Sequence, residues 1–275
     1  MRLDAEALEM VAANEADWDA RAALHAASRF YSQPAEYWFG DYEWEDLGPL
    51  DGRDVLHLQC HLGTETIAFA RRGARTVGLD LSSRSLEEAR KLAGNQKVDI
   101  EYVHANVYDA VEALEGRQFD AVYTGKGALC YLPDFAQWAE VVGQLVKPGG
   151  SLYIVEFHPL LNAMGPVALP GDTDDLIIRN DYLEGRGAIA HDSTVTYTGD
   201  QVPGRQRSFE WMHSLGEVVT TLASSGFQIT RLRESEVLQW PRFNTMQQTP
   251  KGWWRIPDEA PRIPLLYVLL ATRRE

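Results

Sequence analysis

At 275 residues, with 45% hydrophobic and 24% charged side chains, the chain has the composition of a folded globular protein long enough to bury a substantial core. Forty acidic against 26 basic residues leave a net charge of −14, which argues against wrapping a nucleic acid, because non-specific phosphate binding comes from Lys and Arg. Only Cys60 and Cys130 are present, so a disulfide framework is excluded.

Residues 1–50 are rich in Ala, Glu and aromatics, and their periodicity predicts a helix over about 4–27, broken by Pro34 and Gly40. Short β runs and helical segments then alternate: strands over 55–59, 76–79, 100–103, 119–124 and 151–157, with helices over 64–72, 83–92, about 107–114 and 134–146 between them. Ser82 or Ser83 is a natural cap for the second of these helices. Lys147-Pro148-Gly149-Gly150 reads as a helix stop and a turn into the next strand. Strands separated by crossover helices imply a parallel sheet covered on both faces.

After His158 the rhythm fails. Pro159, Gly165, Pro166, Pro170, Gly171, Gly185 and Gly187 mark an irregular insertion over 159–190. Residues 194–198 and 207–212 read as two antiparallel strands joined around 199–204. A helix over 215–225, a strand over 228–234 and a last strand over 265–272 complete the chain. The expected architecture is a single α/β domain with a Rossmann-like seven-stranded sheet, mostly parallel, whose last strand is antiparallel. It divides into an N-terminal helical cap (1–50), a ligand-binding half (51–158), an insertion or lid (159–213), and a C-terminal helix with an antiparallel strand pair (214–275).

The most informative stretch is His57-Leu58-Gln59-Cys60-His61-Leu62-Gly63, followed by Gly78-Leu79-Asp80-Leu81. A first parallel strand ending in a tight turn presents backbone N–H groups and a helix N-terminus to a bound group. An acidic residue closing the second strand can accept both hydroxyls of a ribose. Together they predict an adenosine-containing ligand at the carboxyl ends of the strands. Adjacent Cys60 and His61 point apart, so a metal cluster with His57 is not expected.

Over about residues 52–157 the sequence resembles the class I S-adenosylmethionine-dependent methyltransferases, in a bacterial small-molecule branch whose first motif reads HLQCHxG. The resemblance extends more loosely over the N-terminal segment from Asn14 to Tyr31. It implies S-adenosylmethionine as cofactor, S-adenosylhomocysteine as product and a small-molecule methyl acceptor. It also places Gly63 and the backbone from Gln59 to Leu62 beside the methionine part, Asp80 on the ribose and Leu81 against the adenine. Asn106 and Val107 then meet the adenine edge and face, and Thr124 and Gly125 border the sulfonium. The aromatics around Phe30 and Tyr31 either fold over the cofactor or form a helix packed against the sheet. The chain departs from the usual motif at His57, where an acid is common, and at Gln59 and His61, where glycines are, so the cofactor sits differently or these side chains point away.

Methyl transfer from a sulfonium needs alignment and exclusion of water, and a general base only if the acceptor arrives protonated. His158, directly after the fifth strand, is the best-placed candidate base, the alternative being a partly buried histidine bonded to the irregular loop; Tyr31, Tyr123, Lys126, Tyr131, Trp211 and His213 are further candidates for the pocket wall. Two competing functions are a nicotinamide-dependent oxidoreductase, which wants a G-x-G-x-x-G that residues 59–64 do not supply, and a binding protein that keeps the cofactor without turnover. The first residues lack the basic start and apolar run of a signal peptide, and the longest apolar stretch, 265–271, is too short to span a bilayer. A cytoplasmic protein with no membrane or nucleic-acid partner, monomeric or dimeric, is expected.

Overall fold

A computed structural model describes residues 3–165 and 176–275. Pro166, Pro170 and Gly171 of the expected irregular stretch, and Met1 and Arg2, lie outside the described residues.

The first helix, α1 (Ala5–Ala27), begins where Asp4 accepts the Ala7 N–H at 2.8 Å, with Glu6 in its first turn, a cap and a charge that both favour a helix start. It ends where Ser28 Oγ donates to the His25 carbonyl at 2.7 Å. Its buried positions, Val11, Asn14, Asp17, Arg21 and His25, recur every three or four residues and so form one face. A short helix α2 (Asp41–Leu47) comes next.

The alternation then runs β1 (Asp54–Leu58), α3 (Thr64–Arg71), β2 (Arg75–Asp80), α4 (Ser83–Gln96), β3 (Glu101–His104), α5 (Ala110–Ala113), β4 (Phe119–Gly125), α6 (Phe135–Leu145), β5 (Val146–Phe157) and α7 (Pro159–Ala163). After it come β6 (Ile189–Val195), β7 (Gln201–Glu210), α8 (Leu215–Ser224), β8 (Phe227–Ser235), three two-residue strands, β9 (Val237–Leu238), β10 (Gln247–Gln248) and β11 (Trp254–Arg255), and β12 (Leu266–Arg273). No described helix is long and apolar enough to cross a membrane.

Seven strands form one sheet in the order β3-β2-β1-β4-β5-β12-β8, in which β12 runs antiparallel to both neighbours and the first five strands pair in parallel. This is the expected mostly parallel sheet with an antiparallel last strand. Alternate residues face opposite layers: Leu56, Leu58, Val122, Leu152 and Ile154 pack with α6 and α8, while Val55, Tyr123, Tyr153 and Val268 pack with Phe39 and Phe69. Strand order reverses between β1 and β4, which opens a crevice at the carboxyl ends of these strands.

Three expectations shift. Residues 147–150 are not a turn ahead of a strand but a bulged part of β5, whose register against β4 slips between Phe119 and Ala121, with Gly149 at φ +74°. Residues 107–114 form a 3-10 turn over Val107–Asp109 and one turn of helix rather than a continuous helix, because Asn106 Oδ1 accepts the Tyr108 N–H at 3.1 Å and tightens the start. The hairpin β6–β7 turns at 196–200 rather than 199–204, since Thr196 N–H closes on Asp200 O at 2.8 Å and Thr196, Thr198 and Asp200 bond one another through their side chains.

Candidate functional site

The turn after β1 has the backbone of a glycine-rich loop built without most of the glycines. Gln59 stands at φ +54° and His61 at φ +48°, in the left-handed region that costs a side-chain-bearing residue about 1–2 kcal/mol. Each is held there by its neighbours. Gln59 Nε2 donates to Ala128 O at 2.8 Å. The His61 N–H donates to Asp80 Oδ2 at 2.8 Å, and its ring bonds Ser85 Oγ and His25 Nδ1, each at 2.9 Å. Gly63, at φ +68°, remains glycine for packing: a Cβ there would stand 2.5 Å from the Tyr102 hydroxyl.

A cavity of about 280 Å³ lies over this turn. Of the expected ligand-binding residues, Tyr31, Gln59, His61, Asp80, Leu81, Asn106, Val107 and Gly125 line it, whereas Gly63 and Thr124 do not. Asp80, 5% exposed, accepts the His61 N–H on one oxygen and the Ser82 N–H at 2.8 Å on the other. Burial pushes its carboxyl up to about 6, against those two hydrogen bonds. One lone pair on each oxygen remains for a ligand. Asn106 uses its side-chain oxygen to accept the Tyr108 N–H, so its amide offers the cavity a donor more readily than an acceptor.

His158 is not among the cavity-lining residues. Its Nδ1 accepts the Leu160 N–H at 3.1 Å as the cap of α7, and its Nε2 lies 3.0 Å from Glu234. The expected base thus stands at a helix cap behind Phe157 rather than in the crevice. Among the other candidates Lys126 and Tyr131 reach the cavity, Tyr123 is buried beneath it, and Trp211 and His213 border a separate groove beside Pro133 and Glu217.

Two covers meet over the crevice. Trp18 from α1 packs 4.9 Å from the His61 ring and 5.4 Å from Tyr131. Tyr31 Oη lies 2.5 Å from Tyr197 Oη at the tip of the β6–β7 hairpin, and Tyr197 Oη lies 3.4 Å from His25 Nδ1. Burial lowers His25 to about 3 and depresses His61 well below the usual histidine range, so both rings are neutral at physiological pH. His57, on β1, bonds Thr66 Oγ1 at 2.8 Å and is lowered by burial to about 4.

Sequence reading misses two anchoring carboxylates, Glu156 and Glu65, although it marks Lys126, the partner of Glu65, as a candidate for the pocket wall. Glu156, at the end of β5, accepts the backbone N–H groups of Ala128 and Leu129 at 2.8 Å and Phe157 at 2.6 Å, and also that of Gly127, so one carboxylate shapes the loop after β4. Lys126, held at φ +59° directly after Gly125, donates to Trp38 O at 2.5 Å and pairs with Glu65 at 3.4 Å and Glu43 at 3.9 Å. Glu156 and Glu65 each sit at one end of a regular element, a position that a strand or helix assignment alone does not mark as functional. His25 carries a legible signal, falling two turns after Trp18 on the buried face of α1.

Comparison with known proteins agrees with this geometry. Residues 56–152 match the family described as Methyltransferase domain. A ubiquinone biosynthesis O-methyltransferase of Alkalilimnicola ehrlichii is 38% identical over 110 residues, covering 40% of this chain and 44% of that protein. Its counterpart in Leptothrix cholodnii is 34% identical over 113 residues, covering 40% and 46%. The chain thus spans under half the length of the curated relatives it matches. Among solved structures, a putative S-adenosylmethionine-dependent methyltransferase from Listeria monocytogenes superposes with a TM-score of 0.62 at 22% identity, covering 88% of this chain and 98% of that one. The DhpI–SAH complex gives 0.58 at 18% identity, covering 96% and 97%. These likenesses extend the common fold well beyond the matched domain.

Proposed function

We propose that this chain, which carries a methyltransferase domain on the class I methyltransferase fold, transfers the methyl group of S-adenosylmethionine to an oxygen, nitrogen or carbon of a small molecule. The observation that carries the reading is Asp80: an acid closing β2, fixed by two backbone N–H groups and facing the cavity at the switch point of the sheet. The residues present fit the cofactor. Asp80 keeps a lone pair on each oxygen for the ribose hydroxyls, Leu81 and Val107 offer apolar faces to an adenine, and Gln59 Oε1 is buried at the cavity wall without a hydrogen-bond partner among the described residues.

When bound, S-adenosylmethionine supplies a methyl group on a sulfonium, a good leaving group. The protein's part is alignment and exclusion of water. Trp18, Tyr31, Trp38 and Tyr131 line the cavity, and aromatic rings favour a cation. Gly125 keeps the end of β4 narrow, since a Cβ there would stand 2.9 Å from Tyr123 Oη and 3.1 Å from Val155 O. The cap and the hairpin lie over the crevice and reduce the access of water to it. With His158 engaged as a helix cap and His25, His57 and His61 made weak proton acceptors by burial, transfer rests on placement of the acceptor rather than on a histidine base.

The test is release of S-adenosylhomocysteine from S-adenosylmethionine over a panel of small phenols, alcohols, amines and carbon acids. The O-methyltransferase name of the relatives puts hydroxyl acceptors first. Turnover with at least one acceptor class is expected; cofactor binding with no product across the panel would favour the binding-protein reading or an acceptor outside the panel.

A further inference from the structure

The strand that carries His57 offers no carboxylate to the crevice, and the charged groups that do reach it come from elsewhere. Two bridges cross the gap between the β1 turn and the β4 loop side by side. Gln59 Nε2 reaches Ala128 O at 2.8 Å, and Lys126 Nζ reaches Glu65 Oε1 at 3.4 Å. Residues 126 and 128 flank Gly127, and Gln59 and Glu65 both line the cavity that this loop borders. Their acceptors are incompletely used. Gln59 Oε1 is buried with no partner among the described residues, and the side-chain donors to the Glu65 carboxylate are the Thr64 hydroxyl at 2.6 Å and the lysine. Burial works to raise Glu65, but Lys126, His57 and Thr64 outweigh it and hold the group below the usual carboxylate range, so it stays ionised.

A buried amide oxygen with no donor is costly unless a ligand supplies one, and a cationic group with several N–H bonds can serve this oxygen and a carboxylate lining the same cavity. Resting on the methyltransferase reading, we propose that Gln59 Oε1 and Glu65 together receive the α-ammonium of the cofactor's amino-acid end. In this chain the non-glycine residue in the turn then serves binding: Gln59 accepts a strained backbone and gives the site an acceptor that glycine lacks. Lys126 acts as a positioning residue that keeps Glu65 charged and aimed.

The experiment compares two ligands that differ only at that end, S-adenosylhomocysteine and 5′-methylthioadenosine, which keeps the adenosine and a thioether but has no amino acid. Each is titrated by calorimetry into the wild-type chain, Glu65→Gln and Gln59→Gly. Glycine suits φ +54°, so the second variant keeps the turn should the first fold poorly. Circular dichroism checks both. Each substitution is expected to weaken S-adenosylhomocysteine roughly ten-fold or more, the size of one charge-assisted hydrogen bond, while 5′-methylthioadenosine changes less than about two-fold. Equal losses for the two ligands, or undiminished S-adenosylhomocysteine affinity in both variants, overturns the assignment. A wild-type chain that binds neither ligand overturns the cofactor reading itself, and this inference with it.

Discussion

Asn14 and Phe209 are paired as if they were opposite residues of a ladder: Asn14 Nδ2 donates to Phe209 O at 2.9 Å, and the Phe209 N–H donates to Asn14 Oδ1 at 2.7 Å. One side chain on α1 thereby completes the backbone of β7 and fastens the N-terminal cap to the hairpin of the insertion. Asn14 is 2% exposed and lines the cavity, so the joint between the covers is also part of the site's roof.

Removing that amide strands both backbone groups. Asn14→Ala is expected to destabilise the chain by about 1–3 kcal/mol, the cost of leaving such groups unpaired. Urea unfolding measures it. Hydrogen exchange should quicken at Phe209 before it does in β1 or β4; uniform exchange would deny the joint its local role.

Glu156→Gln keeps the shape but turns one acceptor into a donor facing backbone N–H groups. A loss of about 1–3 kcal/mol is expected, together with loosening of residues 127–129. Thermal unfolding and exchange at Ala128 and Leu129 report the two effects; an unchanged midpoint would count against this anchoring role.

Much of the fold is legible in the sequence because its signals are local. The ends of α1 can be read to within a residue, since Asp4 caps it and Pro34 and Gly40 keep the next segment from continuing it, and the strands of the sheet stand out as short apolar runs. Position along β2 also suffices to pick out Asp80. The illegible part depends on contacts far apart in sequence. His158 comes after a strand end that faces the crevice, yet the cap of α7 and Glu234 on β8 turn its ring elsewhere. Likewise, Gln59 and His61 read as intrusions into a glycine turn, whereas partners at 25, 80, 85 and 128 hold the same backbone shape with side chains attached.

The covers should open at the hairpin tip. Tyr197→Phe removes the contact with Tyr31 Oη and the weaker one with His25, a change of about 0.5–1.5 kcal/mol. Global stability should barely move, while limited proteolysis at 196–200 should accelerate. Cleavage at the wild-type rate would mean that the two hydroxyls do not latch the tip.

Asp80 gives the site a pH signature. Its folded-state value, about 6, exceeds the ordinary carboxylate value near 4, so the native chain holds this proton more tightly than the unfolded one between those pH values. Its contribution to the stability of the unliganded protein is therefore fully present below about pH 4 and is lost as pH rises through about 6. Ligand binding should run the other way, because ribose hydroxyls donate best to the ionised carboxylate. Affinity for S-adenosylhomocysteine should climb between about pH 5 and 7 and level off above, and Asp80→Asn should flatten that rise and cost about 1–3 kcal/mol near neutral pH. Equal affinity at the two ends of that range in the wild type would remove Asp80 from the ribose.

We assign the crevice over β1, β2 and β4 to S-adenosylmethionine. Calorimetric titration of the wild-type chain with S-adenosylhomocysteine, and in parallel with the reduced nicotinamide dinucleotide, tests it most directly. Saturable one-to-one binding of S-adenosylhomocysteine, and none of the nicotinamide cofactor, is the predicted result. Heat from the nicotinamide cofactor alone, with none from S-adenosylhomocysteine, would contradict it.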